Sequence, residues 1–197
     1  MAKKTTDLYD YEYEQTLEDH GIFILSDEIS STNTSDAIEF ILKANLKKKK
    51  DAPKNLTLIV NSPGGEISAA FALIDIMQGS SIPVHTLGLG QVSSAGLLIF
   101  MAGKKDCRTL TPNTSILSHQ YSWGSHGKEH ELIAVIKEFN LTSKRMLNHY
   151  MKCTGMSEKK VKEILMPSSD VYLDAAEAVK YNIADKVVDT YLKEDTK

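Results

Sequence analysis

Residues 82–102, IPVHTLGLGQVSSAGLLIFMA, contain the clearest structural signal in the chain. Its beginning, 82–87, is rich in apolar and β-branched residues and predicts a strand. Its end, 97–102, is apolar on every side and predicts a buried helix. Ser94 therefore lies where a strand turns into a helix, beside backbone N–H groups that have no acceptor within the helix. These N–H groups and the helix dipole favour negative charge, as the oxyanion formed by a nucleophilic serine requires.

Ser94 carries only half of a known nucleophile motif. In the nucleophile elbow, G-x-S-x-G, a glycine stands two residues before the serine, but this chain has Val92 there and keeps only Gly96. Serine is also a preferred N-cap residue, so capping of a buried helix explains Ser94 without any chemistry. The stretch alone is consistent with either role, a nucleophile or a helix cap.

A second turn follows an earlier strand. The segment 55–60, NLTLIV, predicts a strand, and 66–78, EISAAFALIDIMQ, predicts a helix. The turn between them, NSPGG at 61–65, combines proline with paired glycines, which allow backbone shapes closed to other residues. One interpretation is an ordinary connection between strand and helix. The other is that the N–H groups of Gly65 and Ala95 bind one oxyanion together, which requires the two turns to be neighbours in space.

Four motifs follow one another along the chain, namely NSPGG (61–65), GQVSSAG (90–96), SHQ (118–120) and DVYLDAAEA (170–178). In this order they resemble the motifs of the Clp protease proteolytic subunit. The resemblance runs from about residue 21 to residue 188, nearly the whole chain. It implies a serine endopeptidase that cleaves polypeptides, and it implies the ClpP/crotonase-like α/β fold, a spiral of ββα units.

The resemblance also implies a role for each site residue. Ser94 is the nucleophile, His119 the general base, and Asp170 the carboxylate that orients the histidine. Gly65 and Ala95 supply the oxyanion hole. A serine hydroxyl is a weak nucleophile at neutral pH, so a base must take its proton during attack and later protonate the leaving amine. The chain order Ser…His…Asp differs from the order in α/β-hydrolases and argues against that fold.

The residues alone leave the base and the acid open. His119 follows 114–118, a short predicted strand, so it can lie at a strand end. His149 lies on a predicted helix with many polar groups, and we expect it to be solvated. Asp170 follows a loop signal, PSS at 167–169. Its rivals for the role of acid are Asp106, Asp174, Asp185 and Asp189.

A metal site is a further interpretation of the segment 126–130, HGKEH, which matches the metalloprotease pattern H-x-x-E-H. Zinc would need both histidines on one helix face and a third ligand elsewhere. Gly127 opposes a helix there, and 122–125, SWGS, is typical of a loop. We therefore expect a polar start to the next helix, with no metal and no cofactor in the site.

Length, composition and charge predict a single-domain protein that does not bind nucleic acid and does not span a membrane. At 197 residues and 42% hydrophobic content, the chain suits one domain with a substantial core, predicted at 21–197 after an N-terminal segment, 1–20. The net charge of −3 does not favour nucleic acid as a partner. Cys107 and Cys153 provide no disulfide framework and suit a reducing cytosol, so we expect a cytoplasmic protein. We expect no secretory signal and no membrane span.

Strands and helices alternate along the chain, which predicts parallel strands joined by helical crossovers. A first strand at 21–25 and a helix at 35–45 precede the two turns. A long helix follows at about 128–151, and its apolar residues recur near helical spacing at Leu132, Val135, Ile136, Phe139, Met146, Leu147 and Tyr150. An apolar face of this kind is either packed on the core or buried by a partner.

The resemblance implies that this long helix projects as a handle and packs two rings together, in a homo-oligomer of two stacked heptameric rings that encloses the active sites. The segment 120–127 then aligns a polypeptide substrate by strand addition. A AAA+ unfoldase is an implied partner, although the residues standing where aromatic side chains form its docking pocket are Thr57, Ile59 and Gly79. Two other departures are Tyr121, in place of a common proline, and Ser169, in place of an arginine.

Two alternatives to a protease use the same residues differently. A crotonase-like acyl-CoA enzyme has the same oxyanion-hole geometry without a serine nucleophile. A catalytically silent ring subunit keeps the residues but has lost a competent site. Covalent labelling of Ser94 distinguishes a protease from both alternatives, because only an activated serine forms the adduct.

Overall fold

A mainly parallel β-sheet forms the centre of the molecule, whose computed structural model describes residues 16–189. Its strands are β1 (Ile22–Ser26), β2 (Leu56–Ser62), β3 (Val84–Ser93), β4 (Arg108–Leu110), β5 (Ser115–Ser118), β6 (Val171–Leu173) and β7 (Lys186–Val187). The spatial order is β1-β2-β3-β4-β7, and β5 pairs with the carboxyl end of β3. The pairings between these strands are parallel, except that β6 runs antiparallel to β5.

The helices within the described residues are α1 (Ser31–Leu46), α2 (Ile67–Gly79), α3 (Ala95–Met101), α4 (Glu129–Thr154), α5 (Glu158–Ile164) and α6 (Ala175–Lys180). The chain therefore has the mixed α/β architecture that its alternating pattern predicts. Most of the predicted N-terminal segment, residues 1–15, lies outside the described residues, as does 190–197. No helix between residues 16 and 189 is both long enough and apolar enough to cross a membrane.

Helix α1 begins earlier than its predicted start at residue 35. Ser30 is its N-cap, and the Ser30 hydroxyl accepts a hydrogen bond from the Asn33 N–H at 3.4 Å. The Asn33 side chain accepts one in return from the Ser30 N–H at 2.9 Å. This reciprocal capping satisfies N–H groups that the first turn leaves free. Polar residues that are typical of a loop thus form the first turn of a helix.

Strand β3 is longer than predicted. The predicted strand 82–87 continues to Ser93, through the glycine-rich stretch that we expected to be a turn. The register between β2 and β3 shifts between Val60 and Ser62, and Gly90, at φ +62°, adopts a conformation that favours glycine. Because β3 continues past this bulge, it pairs first with β4 and then with β5.

Helix α3 lies in the core, and all of its residues are buried, as its apolar sequence predicts. His149, on α4, donates a hydrogen bond from Nε2 to the Leu98 carbonyl of α3 at 2.8 Å. The expectation of a solvated His149 is therefore wrong, because the imidazole is buried and its N–H has an acceptor inside the protein. Burial lowers the pKa of His149 by more than the hydrogen bond to Leu98 raises it.

A buried ion pair holds the far edge of the sheet. On β4, Arg108 Nη2 lies 2.6 Å from Asp185 Oδ1, and Arg108 Nε lies 3.0 Å from Oδ2, in a two-pronged arrangement. Burial alone raises the pKa of Asp185, but hydrogen bonds and charge from Arg108 together lower it below its ordinary value. The carboxylate thus stays ionised and ties β4 to the chain that enters β7.

We predict that the buried His149 makes the folded chain less stable in weak acid. Its pKa is lowered in the folded state, so protonation, which starts near the unfolded value of about 6.5, favours unfolding. The stabilisation is complete above that pH and is lost as the pH falls toward the folded pKa, by at most about 1.4 kcal/mol per pH unit. The free energy of unfolding in urea, measured between about pH 7.5 and about pH 5.5, tests this.

Two variants separate this effect from that of other titrating groups. His149→Gln keeps an N–H donor but does not titrate, so its unfolding free energy should fall less across the same range. His126→Gln removes an exposed histidine and should follow the wild type. An identical pH dependence in His149→Gln and the wild type would show that the buried imidazole does not carry the effect.

Candidate active site

Ser94 lies at the junction of β3 and α3 in a backbone conformation that few side chains adopt. Its φ is +51° and its ψ is −120°, and its N–H donates to the Leu117 carbonyl of β5 at 2.9 Å. The Ser94 side chain makes no capping hydrogen bond to α3. Positive φ at a residue other than glycine is strained, and such strain often accompanies function. The geometry therefore favours the interpretation of Ser94 as a nucleophile over that of a simple helix cap.

His119 is the first residue after β5, and its ring reaches Ser94. His119 Nε2 lies 2.8 Å from Ser94 Oγ, a hydrogen-bonding distance. The two residues meet because β3 and β5 are parallel neighbours, with Ser93 paired to Leu117, so both chains leave the sheet at the same edge. Both side chains are half-buried. A nitrogen at this distance can take the hydroxyl proton during nucleophilic attack.

Asp170 reaches the same edge from the opposite direction. It directly precedes β6, which runs antiparallel to β5 with Val171 opposite Ser118. Continuing this register by one position sets Asp170 opposite His119. The Asp170 carboxylate is exposed and makes no hydrogen bond to any residue between 16 and 189. The structure thus brings Ser94 and His119 into contact and leaves Asp170 beside them without joining it.

Two of the four rival carboxylates are engaged elsewhere. Asp174 caps α6, where it accepts a hydrogen bond from the Glu177 N–H at 2.8 Å. Asp185 is held by Arg108, as described above. Neither carboxylate is free to orient His119. Asp170 is favoured over these two carboxylates by its position opposite His119 in the extended strand register.

The glycine turn after β2 packs directly against Ser94. A Cβ atom built on Gly64 would lie 2.6 Å from Ser94 Cβ and 3.2 Å from the Ala95 nitrogen. The two turns are therefore neighbours, a relation that the sequence could not establish. Gly65 is held by a bridge to Ile29, whose N–H donates to the Gly64 carbonyl at 2.7 Å. Among the described residues, no acceptor takes a hydrogen bond from the N–H of Gly65 or Ala95.

Ser62 connects the two turns, and our sequence reasoning did not single it out. Its buried hydroxyl donates to the Asp27 carbonyl at 2.5 Å and accepts from the Gly64 N–H at 3.1 Å. A Cβ atom on Gly96 would lie 3.1 Å from Ser62 Cβ, so α3 approaches β2 closely here. The only signal in the sequence was the place of Ser62 within the NSPGG turn. Ser62 thus helps to hold the glycine turn in place beside Ser94.

The possible metal site at 126–130 does not form in the described structure. Helix α4 begins at Glu129, after Gly127 at φ +158°, so His126 lies outside the helix that carries His130. Both histidines are exposed. Across residues 16–189, no group of three His, Cys, Asp or Glu side chains is arranged to hold a metal ion.

A second pair of nucleophile and base lies deeper in the fold. Cys153 Sγ is 3.9 Å from His149 Nδ1, the ring nitrogen that carries no proton when Nε2–H donates to Leu98, and the thiol is free. Burial raises the pKa of Cys153 to about 11, although the nearby charges of Arg108 and Lys152 lower it. The thiol therefore stays protonated at neutral pH and is a poor nucleophile, which leaves Ser94 as the better candidate.

We predict that Gly64→Ala lowers the rate at which a fluorophosphonate modifies Ser94 by about a hundredfold or more. The new methyl group would overlap Ser94 and strain a backbone at φ +101°, so the turn and the Gly65 N–H must shift. Gly155→Ala is the matched control, because Gly155 has φ +74° and no neighbouring atom within 4 Å. Equal labelling rates in the two variants would contradict a role for this turn in the site.

Comparison with known families agrees with the geometry. The sequence profile of the Clp protease family matches residues 4–191, which is nearly the whole chain. The mixed α/β fold with its parallel sheet is compatible with the ClpP fold. Members of this family are in general serine peptidases that form oligomeric rings and work with unfoldases. The resemblance carried by the four sequence motifs is thus confirmed, and the chain belongs to the Clp protease family.

Proposed function

We propose that this chain is a serine endopeptidase that hydrolyses peptide bonds of unfolded proteins or short peptides. The observation that carries the proposal is the 2.8 Å separation between Ser94 Oγ and His119 Nε2. The strained backbone at Ser94 and the free N–H groups beside it are the features that an acyl-transfer site requires. The reaction proceeds through an acyl-enzyme on Ser94.

In the acylation step, Ser94 Oγ attacks the scissile carbonyl carbon while His119 Nε2 takes the hydroxyl proton. The carbonyl π electrons move to oxygen, and the N–H groups of Gly65 and Ala95 bind the oxyanion. The intermediate collapses when the C–N bond breaks. The His119 imidazolium donates its proton to the leaving amine, so the step ends with a neutral amine and an ester on Ser94.

Deacylation repeats these steps with water in place of the serine. His119 takes a proton from water, and the resulting hydroxide equivalent attacks the ester carbon. The same two N–H groups bind the second oxyanion. The bond between the acyl carbon and Ser94 Oγ then breaks, Ser94 takes the proton back from His119, and the carboxylic acid product leaves.

Asp170 completes the proposed triad. Facing positions in an antiparallel pair are about 5 Å apart between Cα atoms. A different rotamer of Asp170 would therefore bring its carboxylate to the free ring nitrogen of His119. A carboxylate there holds the correct tautomer and stabilises the imidazolium during attack. Among the described residues the Asp170 carboxylate makes no hydrogen bond to His119, so the proposed triad requires this adjustment.

The free carboxylate also favours a second candidate, the catalytically silent ring subunit. A site in which Asp170 never engages His119 would keep its shape but react slowly. The crotonase-like alternative would bind acyl-CoA and form no adduct on Ser94. The labelling experiment below separates both from the proposed peptidase.

We predict that a fluorophosphonate probe labels the wild type and does not label Ser94→Ala. The reason is that the probe reacts only with a serine whose proton a neighbouring base removes. Mass spectrometry of the intact chain measures the adduct. Ser93→Ala, at the last residue of β3, is the control and should be labelled. Labelling that persists in Ser94→Ala would exclude Ser94 as the nucleophile.

We propose that polypeptide substrates bind along 120–127. This segment contains no strand or helix of its own and leads directly from His119 to α4. Aromatic contacts with Phe139 of α4 hold it: the Tyr121 ring is stacked with its centroid 5.8 Å away, and the Trp123 ring is tilted with its centroid 5.0 Å away. An extended peptide could therefore add alongside it through main-chain hydrogen bonds, which tolerate many sequences.

We propose that the chain works as a homo-oligomer of two stacked heptameric rings, in the cytoplasm, where its free cysteines remain reduced. The carboxyl-terminal half of α4 is packed on the core, but its amino-terminal half exposes apolar side chains, with Ile133 62% exposed and Ile136 49% exposed. Exposed apolar side chains along one helix are typical of an interface. A AAA+ unfoldase would deliver substrates to such a chamber. The surface of this chain on which the unfoldase would dock has Thr57, Ile59 and Gly79 where aromatic residues are common in the family.

We predict that the double substitution Ile133→Glu, Ile136→Glu lowers the native mass of the assembly, because charge cannot be buried in an apolar interface without a partner. Native mass spectrometry or light scattering measures the change. Ala134→Glu adds charge at an exposed position on another face of the same helix and is the control. An unchanged native mass in the double variant would exclude this half of α4 as the contact between copies.

A further inference from the structure

We propose that Ser118 and Gln120, the two residues that flank His119, position Asp170 for catalysis by holding the chain segment that carries it. This inference rests on the peptidase function proposed above. It assigns to the neighbours of the base a role that the four sequence motifs do not reveal. Neither residue touches the reacting atoms, so both are positioning residues.

Both side chains hold consecutive carbonyls of one segment. Ser118 Oγ donates to the Leu165 carbonyl at 2.6 Å, and Gln120 Nε2 donates to the Met166 carbonyl at 3.0 Å. Alternate residues of an extended chain point to the same side, so the flanking residues reach this segment while His119 reaches Ser94. Leu165 is the C-cap of α5 and Met166 comes next, and Asp170 follows four residues after Met166.

The segment is also held on its other side. Val171, the first residue of β6, pairs with Ser118 of β5. The short connection 167–170 is therefore tied at both ends to residues that adjoin His119. A short loop with two fixed ends has few conformations, so the position of Asp170 follows that of His119. Release of one end would let Asp170 leave its position opposite His119 in the strand register.

Tyr150 extends this network to α4. A serine hydroxyl has a single proton, which Ser118 donates to Leu165, so the Tyr150 hydroxyl must donate to Ser118 Oγ across their 2.8 Å separation. Burial raises the pKa of Tyr150 to about 12, although the hydrogen bond with Ser118 lowers it, so the phenol remains a donor. The chain Tyr150, Ser118, Leu165 is buried, and each of its bonds strengthens the next.

The test is a double-mutant cycle between Gln120 and Asp170. Gln120→Met keeps the length of the side chain but loses the donor to Met166, and it should lower kcat for a short peptide about fivefold with KM unchanged. Asp170→Asn should cause a larger loss. If Gln120 acts through Asp170, the double variant Gln120→Met, Asp170→Asn should be no slower than Asp170→Asn alone.

Controls separate positioning from stability. Gln78→Met makes the same chemical change on α2, where Gln78 accepts a hydrogen bond from Lys152, and it should leave kcat unchanged. Gln120 is exposed, so Gln120→Met should keep the unfolding free energy of the wild type. Tyr150→Phe and Ser118→Ala remove the buried hydroxyls one at a time. Each substitution should lower kcat in the wild-type background and should leave kcat unchanged when Asp170 is already Asn.

The outcomes distinguish this inference from the proposed function. A wild type without Ser94-dependent labelling overturns both. Suppose instead that the wild type is labelled and active. An unchanged kcat in Gln120→Met then overturns only the positioning role. The same conclusion follows if the losses of kcat in Gln120→Met and Asp170→Asn multiply in the double variant. A loss of kcat that vanishes in the Asp170→Asn background supports it, because a general structural effect would persist there.

Discussion

Complete burial of α3 fixes the geometry of the candidate active site. A short helix with every residue buried cannot shift or fray without exposing apolar side chains to water, so its first residue has a fixed place. Ser94 stands at that place, and Ala95 directs its N–H away from the helix. The strained backbone of Ser94 persists because packing on both sides of the turn determines it. The core thus supplies the rigidity that an oxyanion site needs.

Parallel strand order brings the other parts of the site to the same edge. Chains that leave parallel neighbours do so at one end of the sheet, which is why the glycine turn after β2, Ser94 after β3 and His119 after β5 converge. Asp170 is the exception, because it arrives before an antiparallel strand. Its position depends on side-chain hydrogen bonds as well as on the sheet. This difference explains why the nucleophile and the base are in contact while the acid is not yet joined to them.

Helix α4 links the site to the surface proposed for assembly. Its buried half carries His149, bonded to the Leu98 carbonyl of α3, and Tyr150, bonded to Ser118 beside His119. Its exposed half carries the apolar residues Ile133 and Ile136. A rigid helix transmits a displacement at one end to the other, since its backbone hydrogen bonds keep it in one piece. Helix α4 therefore connects its exposed half with residues beside the base, and coupling between the two ends can be measured by double-mutant cycles.

Sequence patterns were enough to predict the strand-to-helix placement of Ser94, the position of His119 at a strand end, and the bounds of the long helix to within a few residues. These features follow from local composition and periodicity, which show which face of an element is apolar. The folded structure was needed to establish that the glycine turn touches Ser94, that β3 continues past its bulge, and that His149 is buried. Those features depend on strand register and on residues that are distant in the chain. A periodic pattern shows that one face of an element is buried, but it does not show which other element covers that face.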